Sequence, residues 1–289
     1  MNNSVVNLIV EALQDKLKST GLERKYPNRV LRGDIVEILD DYCTVVYYPL
    51  KDDNNGFHRI VKSNGENIHF VFINTAQTID KQVFTAAHEL GHLWNIDKIV
   101  LDKLDEKTKN ELGPDASENI INRFAAELMM PKVEFSTCFL AFLQDTKDCY
   151  PEISVLNLLK TIVHLMDRFL VPFKAVLWRL NELGYLSSED TEYIKREYES
   201  KNGIIYPLVD QYIEQFGYRE LNANFEKKYI NGFAEILAEA ERRNTLSPEK
   251  IKQLREAFCI SSESLSDNEL PSNKIVLKEN AINGKDSSN

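Results

Sequence analysis

Apolar side chains recur at helical spacing in three segments of the first hundred residues. Their steps of three and four residues predict an amphipathic helix over residues 5–17, a short helix over Asp34–Asp40 and a longer helix over Thr78–Trp94. In the third helix, Thr78 can cap the start and the negative charge of Asp80 suits the N-terminal end. Its predicted buried stripe consists of Val83, Ala87, Leu90 and Trp94.

Between the second and third helices the pattern becomes that of β-strands. Residues 43–50 are rich in β-branched and aromatic side chains, and Pro49 would end the strand that they predict. Phe57–Ser63 and Glu66–Ile73 flank Asn64-Gly65, a dipeptide typical of a two-residue hairpin turn. We therefore expect a small antiparallel or mixed sheet directly before the third helix.

Helical spacing dominates the chain after Pro131. Proline and glycine residues interrupt the pattern and divide this region into separate helices. Arg168–Leu180 could mimic a helix-turn-helix, but the acidic balance of the chain favours packing or protein docking over DNA reading. The predicted helices are Val155–Leu170, Lys174–Leu183, Glu189–Lys201, Tyr206–Phe216 and Phe225–Arg243.

Together these patterns predict an α+β fold in three parts. Residues 1–135 would form a core in which the small sheet packs on the third helix, and residues 136–260 would form a helical accessory region. From Ser261 onward, 12 of 29 residues are serine or asparagine and few side chains are large and apolar. This composition predicts a disordered tail over residues 261–289.

Charge and composition narrow the classes of function. The 289-residue chain carries a net charge of −10, so direct contact with nucleic acid is not expected. Charged residues interrupt the N-terminal segment and no apolar stretch reaches membrane-spanning length, which predicts a cytoplasmic protein without membrane contact. The cysteines show no short pairing motif and are interpreted as reduced, buried thiols: Cys43, Cys138, Cys149 and Cys259.

The most informative motif is His88-Glu89-Leu90-Gly91-His92, within the third helix. Residues four apart lie one turn apart on one helix face, so both imidazoles can reach one metal ion. Glu89 lies beside them, where it can take a proton from a water molecule that the metal polarises. A histidine pair satisfied in the core or at the surface is the alternative. Gly91 is unfavourable in a helix and indicates that another backbone passes close by, or equally that the helix packs closely against a strand.

A catalytic zinc site takes three protein ligands and leaves the fourth position open. Among the acids, Glu118 is the best candidate for the third ligand, because apolar residues repeat at helical spacing from there to Pro131. The polar linker over Asp97–Ser117 is long enough to fold this helix back against the first. Asn122, one turn after Glu118, can position a histidine or the ligand itself. On spacing alone, a solvated surface residue is the commoner role for such a glutamate. Other candidates are the cysteines and His58, His69 and His164.

Two segments, one in each proposed ligand helix, carry a recognisable combination of residues. They are Phe84-Thr85-Ala86-Ala87-His88-Glu89-Leu90-Gly91-His92 and the later set Glu118, Asn122, Phe124-Ala125-Ala126-Glu127-Leu128 and Met130-Pro131. Together they resemble the ImmA/IrrE family of zinc metallopeptidases. The resemblance is dense over residues 68–131 and fainter over 169–171 and 179–184. Ile121 and Met129 depart from the family's usual Ala and Leu, which bears on packing more than on chemistry.

The resemblance implies a compact gluzincin-type enzyme. It implies that His88, His92 and Glu118 hold Zn²⁺ and that Glu89 is the catalytic base, which passes the proton of water to the leaving amine. It also implies a narrow protein substrate, commonly a helix-turn-helix transcriptional repressor that is cut in response to stress or phage signals. A Tyr or His from the helical region would be typical for stabilising the oxyanion.

Non-catalytic functions stay open as alternatives. The protein could sense metal or sequester a partner, although such a site has no need of Glu89 as a base. It could also be an antitoxin-like module whose C-terminal helices bind a partner. Likewise, an edge strand beside the metal could hold an extended peptide by adding it to the sheet, or the hairpin could only scaffold the helix. His69 is interpreted as a satisfied sheet residue rather than a site residue.

Overall fold

A computed structural model describes residues 3–26, 30–51, 54–63, 65–145, 152–223, 226 and 228–260. Contacts within the chain divide it into two units, Met1–Asn231 and Gly232–Asn289. The boundary near residue 135 stays a prediction, and the tail predicted from Ser261 lies outside the described residues.

The first unit contains both the sheet and most of the helices. In chain order its elements are α1 (Asn3–Ser19), α2 (Leu22–Lys25), α3 (Asp34–Asp40), β1 (Thr44–Tyr48), β2 (Gly56–Ser63), β3 (Glu66–Asn74), α4 (Ile79–Leu93), α5 (Ile96–Asp102), α6 (Glu106–Leu112), α7 (Ala116–Met129), α8 (Lys132–Asp145), α9 (Val155–Phe169), α10 (Phe173–Glu182), α11 (Ser188–Glu199), α12 (Ile205–Phe216), α13 (Arg219–Asn222) and β4 (Tyr229–Ile230).

The predicted α+β class is confirmed, and the sheet is mixed. Its strand order is β2-β3-β1-β4, which places β2 at one edge. The predicted hairpin is present as the antiparallel pair β2–β3, in which Ser63 is opposite Glu66; Asn64 of the turn lies outside the described residues. β1 pairs with β3 in parallel and with β4 in antiparallel orientation.

Two local predictions were wrong. The segment over Asp97–Ser117 is not a polar linker but carries α5 and α6 before α7 begins. The helix predicted over Phe225–Arg243 begins only at Phe233, because Tyr229 and Ile230 pair with β1 instead. Pairing with a strand far away in sequence leaves no trace in the local spacing of apolar residues.

The sheet lies against α4 through one face of β3. Val71 and Ile73 are almost fully buried on that face, and the predicted stripe of α4 is buried as well. Burying a large apolar side chain contributes about 1.5–3 kcal/mol, so this layer can hold α4 firmly against the strands. The confirmed stripe is Val83, Ala87, Leu90 and Trp94.

The helices after Pro131 continue the core of the first unit. α9 contacts α8, α10 and α12, and Phe135, Phe169 and Phe173 are fully buried among them. The second unit has two described helices, α14 (Phe233–Arg242) and α15 (Pro248–Ala257), with an edge-to-face contact between Phe233 and Phe258. Among the described helices, none combines the length and the apolar character that crossing a membrane requires.

The cysteines are only partly as predicted. Cys43 and Cys138 are free and half-buried, and Cys149 lies outside the described residues. Cys259 is free but exposed, which corrects the expectation that it is buried. Cys259 lies two residues after the end of α15, in a unit whose two described helices are short and bury few side chains.

Candidate metal centre

The site is built on two neighbouring helices, α4 and α7, which pack side by side. Gly91 of α4 lies where they meet: a Cβ atom there would be 2.8 Å from Cδ1 of Phe124 and 3.2 Å from Cδ1 of Ile121. The close neighbours of Gly91 are therefore side chains of α7, not a strand or a passing backbone. A glycine at this position lets α7 approach, which brings Glu118 to the histidines of α4.

Three side chains converge at this junction. Nε2 of His88 lies 3.1 Å from Nε2 of His92 and 3.3 Å from Oε2 of Glu118, and Nε2 of His92 lies 3.5 Å from Oε1 of Glu118. Among the described residues, this is the group of three or more potential metal-binding side chains whose ligand atoms lie close together. The structure thus brings together the three ligands expected from the sequence.

Asn122 lies one turn after Glu118 and contacts the first histidine. Its Oδ1 is 2.9 Å from Nδ1 of His88, so Nδ1 donates to the amide and Nε2 is left facing His92 and Glu118. Burial and the neighbouring His92 lower the pKa of His88, against the opposing effect of Glu118. Burial and the neighbouring His92 thus favour the neutral imidazole of His88, which is the form that binds metal.

Glu89 is on the buried side of the same helix turn. Only 5% of the residue is exposed, and its Oε2 is buried without a hydrogen-bond partner among the described residues. Burial, and next the negative charge of Glu118, raise the pKa of Glu89 to about 7. A carboxyl group with such a pKa can take up and release a proton at neutral pH.

The donor set fits a tetrahedral zinc ion. With bonds of about 2.0–2.1 Å, two ligands of a tetrahedral ion lie about 3.3 Å apart, close to the three separations found here. Two imidazoles and one carboxylate are also a usual set for catalytic zinc. The side chain of Glu118 is 57% exposed, so the cluster is open to solvent on one side. An open side is what a fourth, exchangeable ligand needs.

A second histidine pair lies on the sheet. Nε2 of His58 on β2 is 2.9 Å from Nδ1 of His69 on β3, and the rings are stacked. His69 is therefore hydrogen-bonded within the sheet, in keeping with its interpretation above. Burial lowers the pKa of His58, and the nearby His69 and His92 lower it further. The remaining histidine, His164, is 2.6 Å from the Tyr218 hydroxyl, so neither it nor His69 joins the metal cluster.

The far end of α7 carries an ionic cluster that the sequence interpretation missed. Arg179 of α10 is fully buried and donates two hydrogen bonds to the carboxylate of Glu127 and one to the carbonyl of Met130. Arg123 pairs with Glu127 and with Glu182 of α10. Glu127 lies in the dense part of the family resemblance and Arg179 in its fainter part over residues 179–184, but neither stretch alone shows that the two side chains meet.

A cleft of about 1640 Å³ adjoins the cluster. Asn122, the partner of His88, lines the cleft together with Phe84 of α4 and Asn55, which precedes β2. Helices α10, α11 and α12 supply much of the remaining lining. The cleft therefore connects the two ligand helices, the start of the edge strand and the helical region.

Comparison with protein families decides the class of this site. Residues 42–181 match the model of the IrrE N-terminal-like domain, Peptidase M78. This part of the chain is a domain of the Peptidase M78 family. This M78 domain contains both ligand helices, the sheet strands β1–β3, the Glu127–Arg179 pair and most of α10. Membership in this metallopeptidase-type family points to a peptidase and to a protein substrate.

A search of curated proteins found none with significant similarity to this M78 chain. The family match gives the class of the domain, and the side-chain geometry describes the candidate site within it. They agree on the same two segments, since both His88–His92 and Glu118 fall inside the matched residues.

Proposed function

We infer that this M78 protein is a zinc-dependent endopeptidase, in which His88, His92 and Glu118 hold Zn²⁺ and Glu89 is the general base. The observation that carries the proposal is the trio of donor atoms 3.1–3.5 Å apart, next to a buried glutamate with an unpartnered oxygen. A metal-sensing site would need the trio but not a desolvated base beside it.

The bound zinc would supply Lewis acidity toward a peptide carbonyl and would make a nearby water molecule easier to deprotonate. Asn122 holds the imidazole of His88 in the tautomer that presents Nε2. Glu89 accepts the proton of the attacking water and then donates it to the nitrogen of the leaving amine.

The substrate backbone is proposed to bind along the edge strand β2. This strand is at the edge of the sheet and starts beside the cleft, with Gly56 tight against Thr85 of α4. A Cβ at Gly56 would be 2.7 Å from Cγ2 of Thr85, so this glycine holds the strand directly above the helix turn that precedes His88. An extended peptide added to this edge would run past the metal cluster.

The proposed substrate is a basic, cytoplasmic DNA-binding protein, in particular a helix-turn-helix repressor cut in a linker or a locally unfolded helix. The net charge of −10 favours such a partner through long-range attraction. An extended-backbone site cannot act on an intact helix, which limits the cuts to exposed segments. These proposals place the enzyme in the cytoplasm.

The test uses a helix-turn-helix repressor encoded beside this protein, incubated with the purified full-length chain, with mapping of fragments by mass spectrometry. We expect one or two cuts outside the DNA-binding core, slower at higher salt and absent with a chelator. Glu89→Gln should keep zinc content and melting temperature and lose cleavage. Glu192→Gln, which removes an exposed acid of α11, is the matched control and should cleave normally.

Tight binding of the repressor without cleavage, over a range of ionic strength and temperature with zinc present, would replace the enzyme by a sequestering or antitoxin-like module. Cleavage that persists in Glu89→Gln would remove the assigned base.

A further inference from the structure

Beyond the metal cluster, the most informative group is Asp80, in the first turn of α4. The residue is only 4% exposed, and its Oδ1 is buried without a hydrogen-bond partner among the described residues. Burial raises the pKa of Asp80, against hydrogen bonds from Thr78 and the Lys81 backbone that lower it. Favourable placement at a helix N-terminus explains one acid here, but it leaves an oxygen of that acid unsatisfied.

Asp80 lines the same cleft that reaches Asn122. The lining also includes three aromatic rings, here called the aromatic wall: Tyr198 is stacked on Phe173 at 4.2 Å between ring centroids and meets Tyr206 edge-on at 5.4 Å. Asp80 lies near this wall, since its charge is the second cause, after burial, of the raised pKa of Tyr198. The charge of Asp210, which also lines the cleft, raises the pKa of Tyr198 as well, after the effects of burial, Asp80 and Tyr206.

The described cations that line the cleft form no ion pair with Asp80 or Asp210. Arg123 is paired with Glu182 and Lys174 with Glu199, while the exposed Lys81 donates a hydrogen bond to Gln77 and, from the next position along α4, its charge lowers the pKa of Asp80. Neither Asp80 nor Asp210 has an ion pair among the described residues, and Asp210 accepts a hydrogen bond only from the amide of Asn222. The acids that line the cleft are Asp80, Glu111, Glu182, Glu199 and Asp210.

The position of Asp80 along α4 sets its distance from His88 and therefore from the metal cluster. Asp80, Phe84 and His88 follow one another at four-residue steps, so they share one side of the helix. Eight residues of helix span about 12 Å. An extended peptide covers about 3.3 Å per residue, so this distance corresponds to three or four residues of substrate.

We propose that the cleft is a specificity site for a lysine or arginine side chain of the substrate, three or four residues from the scissile bond. The aliphatic stem lies along Phe84 and the aromatic wall, and the charged end faces Asp80 and Asp210. A cation close to the faces of Tyr198 and Tyr206 gains a further attraction from the rings. This inference rests on the proposed function, because the register is counted from the metal cluster.

The first measurement uses the catalytically silenced Glu89→Gln full-length protein, loaded with zinc. Its probes are fluorescein-labelled extended peptides, identical apart from one lysine placed at successive positions, each paired with a norleucine counterpart of the same length. Fluorescence anisotropy should show binding about tenfold tighter for lysine at one position of the series. Asp80→Asn in this background should remove the preference, and Glu192→Gln should retain it.

Because Asp80 is buried, Asp80→Asn could lose the preference by unfolding, so a second variant at an exposed position tests the same site. Tyr206 is exposed, and Tyr206→Leu in the same background should reduce the lysine preference several-fold at an unchanged melting temperature. Equal affinity for the lysine and norleucine peptides, no binding of any peptide, or an undiminished preference in both variants would overturn the proposal.

The second measurement separates this proposal from the peptidase itself. The zinc-loaded wild type is incubated with a mixture of peptides that retain internal lysine and arginine, and mass spectrometry reads the residues around each cut. We expect enrichment of basic residues at one position three or four residues from the cut. Cuts without that enrichment would refute the specificity site but support the peptidase activity. Lysine-selective binding without any cut would refute the peptidase activity but support the specificity site.

Discussion

Helix α7 carries two glutamates with opposite surroundings. Glu118 in its first turn is more than half exposed and faces two imidazoles, His88 and His92. Glu127 in its last turns is buried and faces two guanidinium groups, Arg123 and Arg179. Both acids lie in the segment that matches the M78 family, on one continuous helix.

The difference shows how the partners of an acid decide its role. A guanidinium is permanently charged, so the cluster at Glu127 is complete within the protein and joins α7 to α10. Burial lowers the pKa of His88 and so favours its neutral imidazole, which does not neutralise the charge of Glu118, and a cation from outside can complete the site. One end of the helix is therefore suited to stability and the other to binding.

The largest effect is expected from Glu118→Ala, which removes the carboxylate that faces the two histidines at the start of α7. Zinc affinity should fall on the order of ten-thousandfold, about 5.5 kcal/mol, because one of three protein ligands is lost. Stability of the metal-free protein should stay unchanged, since the side chain is exposed. Metal analysis and competition with a chromophoric chelator measure this, with the highly exposed Glu106→Ala as control. Full zinc occupancy in Glu118→Ala would exclude Glu118 as a ligand.

Arg179→Met disrupts the ionic cluster around Glu127 at the end of α7. It leaves Glu127 buried with one cation and removes the donor to the Met130 carbonyl. The free energy of unfolding should fall by about 4 kcal/mol. Urea denaturation measures the change, and Arg196→Met on the surface of α11 should cost less than about 0.5 kcal/mol. A wild-type urea midpoint in Arg179→Met would show that the cluster does not stabilise the junction of α7 and α10.

Glu89 sharpens the comparison, because it is buried like Glu127 but has no cationic partner. Without metal, its pKa of about 7 in the folded protein exceeds the ordinary value of 4.5. The folded state then binds its proton more tightly, so unfolding becomes easier as pH rises through this interval. Relative to Glu89→Gln, the metal-free wild type should lose about 3 kcal/mol between pH 4.5 and pH 8.

Urea unfolding with a chelator, at several pH values, gives this difference directly. Zinc should reduce it, because a bound cation lowers the pKa of the neighbouring carboxyl. Parallel pH profiles for the metal-free wild type and Glu89→Gln would mean that water reaches Glu89 in solution.

The smallest effect is expected from Asn122→Ala, which removes the amide that is hydrogen-bonded to His88. Losing the acceptor for Nδ1 of His88 frees the ring to rotate, and zinc affinity should fall between about tenfold and a hundredfold. The same chelator competition measures it, and Asn119→Ala, one position from Glu118 on α7, is the matched control. A loss as large as that of Glu118→Ala would indicate that Asn122 itself binds the metal.

Much of the site could be predicted because it is local. His88, Glu89 and His92 are set by one helix, and the periodicity of α4 and of the residues after Glu118 is visible in the sequence. The choice of Glu118 among many acids needed the family resemblance, since a glutamate on a helix carries no signal of what lies across from it.

The remaining features depend on contacts between distant segments. The pairing of β4 with β1, the Arg179–Glu127 contact and the unpartnered oxygen of Asp80 each join or isolate groups that are far apart in the chain. Spacing rules report which face of an element is apolar, whereas they do not report which element will cover that face.

The sequence by itself therefore determined the class of the site: two imidazoles and a carboxylate on one helix turn, inside an α+β framework. The family resemblance singled out Glu118 as the further carboxylate, and only the tertiary structure shows how this side chain reaches the two histidines. α5 and α6 return the chain, and Gly91 admits Phe124 of α7. The physical reason is that hydrogen-bonded helix geometry fixes neighbours four residues apart, whereas burial and packing determine the partners of Glu118, Glu127 and Asp80.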